Sequence, residues 1–301
     1  MNNSVSLTRV HLFLFSVLSV LFFGCPSDSE TDGEKDGDDS IFSQRSDLES
    51  SGYQGNIKKI TTETYEALNS FGEIDKGQCL WTYNYRYNEY GNLTNQELYR
   101  CNGDLFQSSV WEYNDDQNVV LYVKANENGD LMSKVLTNWE DDLNYEKLEF
   151  DSLGQLDRKV FFSGSTDSPV KQDREHYDAE GNLIARYKND LNEYGDVLYT
   201  EGYIFVGSES FPVTYSYERD ANSKILEQKA TCIDSPNFST TQSRYNSSSH
   251  LISQTEYDCD GAIVSSVSHE YFYDEAGNIF KKISSENGQA KYVTEYSYTF
   301  Y

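Results

Sequence analysis

Three imidazoles beyond residue 24 could do acid–base or metal chemistry: His176, His250 and His269. A general base needs a partner within hydrogen-bond reach, and a zinc site needs ligands at short fixed spacings. Neither pattern occurs. The chain has no HExxH, nucleophile elbow, phosphate loop or dinucleotide fingerprint. Its 50 Asp and Glu residues scatter through turn-like segments and form no recognisable carboxylate pair. No catalytic residue, metal ligand or cofactor site is therefore assigned, and the expectation is a protein that is not an enzyme. Calcium is considered because Asn126–Asp130 and Asp258–Gly261 gather oxygen donors around a glycine. Both lack a twelve-residue loop with a closing Glu, so hydrogen-bonded turns are the simpler reading.

Cys79, Cys101, Cys232 and Cys259 show no CxxC spacing, and an even number in an exported chain suggests disulfides with three possible pairings. Cys79 and Cys101 lie equally far from residue 90, inside the turn-like segment Asn88-Glu-Tyr-Gly-Asn92. If that segment closes a hairpin, the two cysteines face each other at a distance a disulfide can span. Cys232 and Cys259 fit less well. They meet only if the loop at 234–237 folds over towards the turn at 258–262, on the same sheet edge.

What must position these groups begins with residues 1–24. An apolar run from Leu12 to Phe23 follows Arg9 and ends at Gly24-Cys25. It is shorter than the about 20 residues that span a bilayer and reads as a signal peptide. It resembles a bacterial lipoprotein signal, which implies removal of residues 1–24 and lipidation of Cys25. Multiple acyl chains on that cysteine would anchor the protein stably. Residues 26–40 contain seven acids and one Lys, with Pro26 the lone apolar residue, so 25–45 is expected to be a disordered acidic tether. Acids just after the lipidated cysteine also resemble the surface-export signals of some Gram-negative lipoproteins. The chain's net charge of −26 becomes one unit more negative when Arg9 is lost. Such acidity excludes nucleic acid and an anionic bilayer surface as electrostatic partners.

Residues 46–301 carry a repeated turn. An aromatic residue is often followed by Asp or Asn, then a glycine, with an aliphatic residue two positions later. Tyr87 to Leu93, Phe150 to Leu156, Tyr177 to Leu183, Tyr257 to Ile263 and Tyr273 to Ile279 are full copies, around Gly91, Gly154, Gly181, Gly261 and Gly277. Gly55, Gly103, Gly129 and Gly195 mark shorter copies, and Gln117, Ser223 and Ser249 stand at the glycine position in degenerate ones. Glycine reaches positive φ without a clash, and Asp or Asn hydrogen-bonds its own backbone at the turn entry. A turn about every 13 residues leaves strands of roughly eight, the rhythm of an antiparallel meander. Alternation places Trp81, Tyr83, Tyr85 and Tyr87 on one strand face, and Tyr292, Thr294, Tyr296, Tyr298 and Phe300 on another. Little helix is expected. The 25 tyrosines are read mainly as cross-strand partners with an apolar body and a wet hydroxyl, less as a sugar-stacking surface.

The motif Tyr-Asp-x-x-Gly-Asn-Leu/Ile with Tyr-rich strands between, clearest at 87–93, 177–183 and 273–279, resembles the tyrosine–aspartate (RHS/YD) repeat family over residues 53–301. The resemblance implies a long curling sheet of strand–turn units. Family members often enclose a C-terminal toxin, but this chain ends at Tyr301 in a strand-like segment and looks short for a closed shell, so toxin delivery is not carried over.

The fold expectation is all-β: a long antiparallel meander forming a curled, open or solenoid-like sheet. The functional expectation is a non-enzymatic lipoprotein of the outer membrane or cell surface. It would be held to the membrane through Cys25, and its β-domain would bind an unidentified protein or glycan. A lipid-anchored glycan-degrading enzyme and a calcium-binding adhesin-like module are the alternatives. An integral β-barrel, hinted at by the aromatic C-terminus Tyr298-Thr-Phe300-Tyr301, conflicts with Glu97, Arg186, Lys281 and Lys282 in its strands.

Overall fold

The computed structural model describes residues from 46 onward, apart from 71, 142, 166–169, 192–196, 207–208, 220–224, 231–239, 249 and 259. Cys25, Cys232, Cys259, Gly195, Ser223, Ser249, the signal segment and the tether lie outside the described residues. The chain opens with a short helix, α1 (Asp47–Ser50), then β1 (Ile57–Ser70), β2 (Glu73–Tyr87), β3 (Leu93–Tyr99), β4 (Leu105–Tyr113), β5 (Val119–Asn126) and β6 (Leu131–Trp139). Next come β7 (Tyr145–Phe150), β8 (Leu156–Ser165), β9 (Val170–Asp178), β10 (Leu183–Leu191), β11 (Val197–Val206) and β12 (Glu209–Arg219). The last six are β13 (Ile225–Ala230), β14 (Thr240–Tyr245), β15 (Leu251–Tyr257), β16 (Ile263–Tyr273), β17 (Ile279–Glu286) and β18 (Gln289–Phe300).

Each strand pairs antiparallel with its sequence neighbours, and β1 also pairs with β18 from Ile57↔Phe300 to Glu66↔Tyr292. The sheet therefore closes into an 18-stranded barrel. This corrects the expectation of an open or solenoid-like sheet, and the judgement that the repeats are too few to close. Local turn chemistry shows hairpins, whereas closure depends on a pairing between chain ends that no local pattern encodes.

The turns share one construction. Asn88, Asn126, Asp151, Asp258 and Asp274 each accept, through Oδ1, the N–H groups two and four residues on. Gly91, Gly154, Gly181, Gly261 and Gly277 sit at φ of +74° to +87°, and Gln117 takes the same region at +62°. One strand then slips by a residue. Tyr87 pairs with Leu93 but Arg86 pairs with Asn95, and the same shift follows Tyr113, Phe150, Tyr245, Tyr257 and Tyr273. Such bulges bend a strand and raise its twist, the local deformation that lets a long meander curl round.

Cys79 and Cys101 are joined, with Cα atoms 5.9 Å apart. They are not a directly opposed pair, as equal distance from residue 90 would require. The bulge after Tyr87 makes Thr82 oppose Tyr99, and Cys101 lies beyond the end of β3 in the next turn.

Candidate functional site

Because directly paired residues share a face, the register can be followed around the closed wall. One unbroken face carries Thr62, Tyr83, Leu98, Gln107 and, through the later strands, Lys147, Arg174, Asn189, Gln254, His269, Lys282 and Thr294. It is the inner face. Thr62, Thr64, Ser109, Thr137, Gln172, Asn189, Thr200, Ser243, Ser284 and Thr294 lie on it and are all buried. The opposite face presents charge to solvent through cross-strand ion pairs such as Arg86–Glu97, Arg186–Glu175, Lys171–Asp190 and Lys76–Glu295.

The two tyrosine rows read as separate faces are thereby one surface. β1 stands between β2 and β18, so Thr62 is flanked by Tyr83 and Tyr296, and Thr64 by Trp81 and Thr294. Together with β17 they line a cavity of about 500 Å³ walled by Trp81, Tyr83, Tyr85, Tyr292 and Tyr296, with Lys282 at its edge. Tyr83 and Tyr85 stack with ring centroids 5.7 Å apart, and Trp81 tilts against Tyr292 at 6.0 Å. Thr64 and Thr294 hydroxyls meet at 3.2 Å. Burial holds Lys282 below the usual ammonium range and pushes the Tyr85 and Tyr296 hydroxyls up. The surface offers flat aromatic faces, hydroxyl donors and one cation.

The rim bearing the chain ends covers this cavity. Ser46 caps α1, and residues 46–56 run along the rim from the turn at 88–92 towards the turns at 246–250 and 274–278. Leu48 N–H donates to the Gly91 carbonyl at 3.1 Å, and Gln54 N–H donates to Asn278 Oδ1 at 3.0 Å. Asp47 accepts the Leu93 N–H at 2.6 Å and the Tyr113 hydroxyl at 3.3 Å. Burial still leaves its carboxyl above the usual range. Leu48, Ile57, Ile60 and Tyr87 pack here with Tyr53, Tyr85, Leu93, Tyr296 and Tyr298.

The inner-face aromatic residues divide into two kinds. At this rim several cap the carbonyl exposed at a bulge on the neighbouring strand. Tyr113 donates to Leu93 O, Trp139 Nε1 to Val119 O, Tyr271 to Leu251 O and Tyr298 to Ile279 O, at 2.6–2.9 Å. Those rings are structural. Trp81, Tyr83, Tyr292 and Tyr296 make no such cap and face the cavity.

The histidines do not converge. His250 is buried in its turn with Nδ1 2.9 Å from the Tyr273 hydroxyl, while His269 contacts Ser284 at 3.0 Å. His176 stands on β9, on the inner wall far round the ring. Among the described residues no group of three or more His, Cys, Asp or Glu could hold a metal ion. Asp258 spends its Oδ1 on its own turn, and so does Asn126. Sequence reasoning misses Lys147 and Arg174, and it counts Lys282 among the strand charges that oppose an integral barrel, although Lys282 faces inward. Their inward direction shows only when strand parity is carried through every bulge.

No family model matches the chain, and no curated protein does. Among solved structures it is similar to a porin-like protein from Bacteroides uniformis, at 15% identity and a TM-score of 0.37, covering 83% of this chain and 99% of that one. It is also similar to the TcdB2-TccC3-Cdc42 complex, at 15% identity and a TM-score of 0.22, covering 73% of this chain but 15% of that one. TcdB2-TccC3 without its hypervariable C-terminal region gives 10% identity and a TM-score of 0.21, over 74% and 15% of the two chains.

Proposed function

We propose that this chain is an exported, non-enzymatic binding protein, tethered to the outer membrane through a lipid on Cys25, whose barrel takes up a glycan on its inner aromatic wall. The observation that carries the reading is the direction of the side chains. Trp81, Tyr83, Tyr85, Tyr292 and Tyr296 line an internal cavity among threonine and serine hydroxyls, while ion pairs occupy the outer wall. Flat aromatic faces beside hydroxyl donors suit the apolar faces and hydroxyl rims of sugars. A membrane-spanning barrel alternates the other way, apolar outside and polar inside. Charge pairs such as Arg86–Glu97 on the outer wall favour a barrel that stands clear of the hydrocarbon. The strand–turn unit keeps its resemblance to tyrosine–aspartate repeats, here wrapped into a small closed wall.

The enzymatic alternative needs two carboxylates facing each other across a cleft. The inner-face Glu149 lies beside Arg158, and Glu256 accepts the Ser265 hydroxyl at 3.1 Å, which supports binding without turnover. A glycan array coupled to a hydrolysis assay tests the reading. Retention of a glycan without cleavage supports it. Turnover of any glycan, or retention of a neutral glycan that survives Trp81→Ala and Tyr83→Ala, overturns it.

A further inference from the structure

The wall on β6 to β10, separated from the aromatic cavity by β3 to β5, has a different character. Two register rows cross β6 to β10 on the inner face. One reads Trp139, Tyr145, Phe162, Arg174, Tyr187; the other reads Thr137, Lys147, Val160, His176, Ala185. Trp139, Tyr145 and Phe162 form a continuous stack, with ring centroids 4.3 and 4.1 Å apart. Lys147 sits 5.6 Å from the Tyr145 and Phe162 ring centres, and Arg174 lies 4.5 Å over Tyr187. Arg158 flanks them in a row that also holds Glu149, 3.8 Å from it, and Asp178. Lys147 and Arg174 have no ion pair among the described residues. Arg174 Nε and His176 Nε2 are buried without a hydrogen-bond partner. Buried donors without partners cost about 1–3 kcal/mol each, so native structures rarely keep them unless something else satisfies them. Inner cations without a direct ion pair also stand out in a chain of net charge −26.

We propose that this wall is an anion-binding subsite, with Lys147, Arg174 and His176 holding a carboxylate or sulfate group of an acidic oligosaccharide whose neighbouring sugar rests against the edge of the Trp139, Tyr145 and Phe162 stack. The inference rests on the interior-binding reading and narrows its substrate class. Arginine supplies a fork that matches both carboxylate and sulfate, lysine a point charge, and the ring stack a surface for the neighbouring sugar. Nucleic acid would offer anions and flat faces too, so an oligonucleotide belongs in the test.

The test is a titration of the full chain with octamers of galacturonate, a heparin-derived octasaccharide, neutral maltooctaose and an eight-nucleotide oligo-dT, followed by tryptophan fluorescence and calorimetry. At least one acidic sugar should bind more tightly than maltooctaose and weaken with salt. Lys147→Met and Arg174→Met should each weaken it about tenfold, corresponding to about 1.4 kcal/mol. The outer-wall variant Arg186→Gln should bind as the parent does, and melting temperatures of all three variants should confirm folding. Equal or tighter binding of maltooctaose would overturn the anion subsite while leaving interior glycan binding in place. Tighter binding of oligo-dT, failure of both acidic sugars, or unchanged affinity in the two inner variants would also sink it. Failure of every glycan on the array would remove both readings together.

Discussion

The Tyr113 hydroxyl reaches the neighbouring strand to donate to the Leu93 carbonyl at 2.7 Å, and its oxygen also lies 3.3 Å from Asp47. One phenol thus caps a bulge and anchors the segment that closes the rim. Tyr113→Phe keeps the ring and removes the donor. Loss of a half-buried hydrogen bond with its acceptor left behind should cost about 1–2 kcal/mol in denaturant unfolding. Tyr99→Phe, at the opposite rim, makes no cap of this kind and should fall within about 0.5 kcal/mol of the parent.

The Cys79–Cys101 link encloses a loop with sequence separation 22. In the chain-entropy treatment such a loop contributes about 3 kcal/mol. The double variant Cys79→Ser with Cys101→Ser should therefore unfold about 6–12 °C lower by calorimetry. Peptide mapping of the unreduced parent should recover the two cysteines in one linked fragment. Either cysteine linked instead to Cys232 or Cys259 would show that the register of β2 and β3 is different.

His176 and His269 should make stability depend on pH below neutrality. Burial holds His176 at about 3, with Arg174 and Arg158 pushing the same way, and holds His269 at about 4, helped by Lys282. In the unfolded chain both titrate near 6.5. As pH falls through 6.5 the unfolded state takes up protons that the folded state refuses, so stability drops until the folded values are reached. Each histidine contributes a slope of at most about 1.4 kcal/mol per pH unit. The double variant His176→Gln with His269→Gln should flatten the urea midpoint between pH 6.5 and 4.5. An unchanged slope would mean that the barrel does not hold the rings' proton affinity below that of the unfolded chain.

Two glycines separate backbone conformation from packing. Gly52 and Gly277 share positive φ, +75° and +85°. A Cβ on Gly277 meets nothing within 4 Å, whereas one on Gly52 would run into the Ser248 carbonyl and come within 2.9 Å of His250 Nε2. Gly277→Ala should cost about 1 kcal/mol from its backbone alone. Gly52→Ala should cost about 2–4 kcal/mol and lift residues 46–56 off the rim, which limited proteolysis of that segment would detect. Equal effects would show that the segment is not seated there.

Much of the wall is legible in the chain, and the reason is local. Asp or Asn, glycine and an aliphatic residue at fixed offsets determine a turn, its closing hydrogen bonds and its bulge without help from elsewhere. Closure is not local. It pairs Ile60 with Tyr298, and only that pairing brings Trp81 and Tyr292 into one cavity. The inner cations stayed hidden for a related reason. Every bulge resets strand parity, so Lys147 and Lys281 look alike in sequence although one faces in and the other out. The tyrosines were read mainly as structural. Tyr113 and Tyr298 fit that description, and Tyr83 and Tyr292 also line the cavity.

The β1–β18 pairing has a consequence for where the protein can give way. Seventeen neighbouring pairs are linked by short connections, but this one joins segments more than 200 residues apart. The cost of closing such a loop grows as the logarithm of its length, so the junction forms against several kcal/mol that the hairpins do not face. The chain meets that deficit with its tightest packing. Ile57, Ile60 and Val293, three of the four largest fully buried side chains, all belong to these two strands, and Tyr301 N–H donates to the Asn56 carbonyl at their end. The barrel behaves as a zip whose one unsewn edge is held by a clasp. A mutation that loosens Ile60 should open the wall along its length before it melts any hairpin.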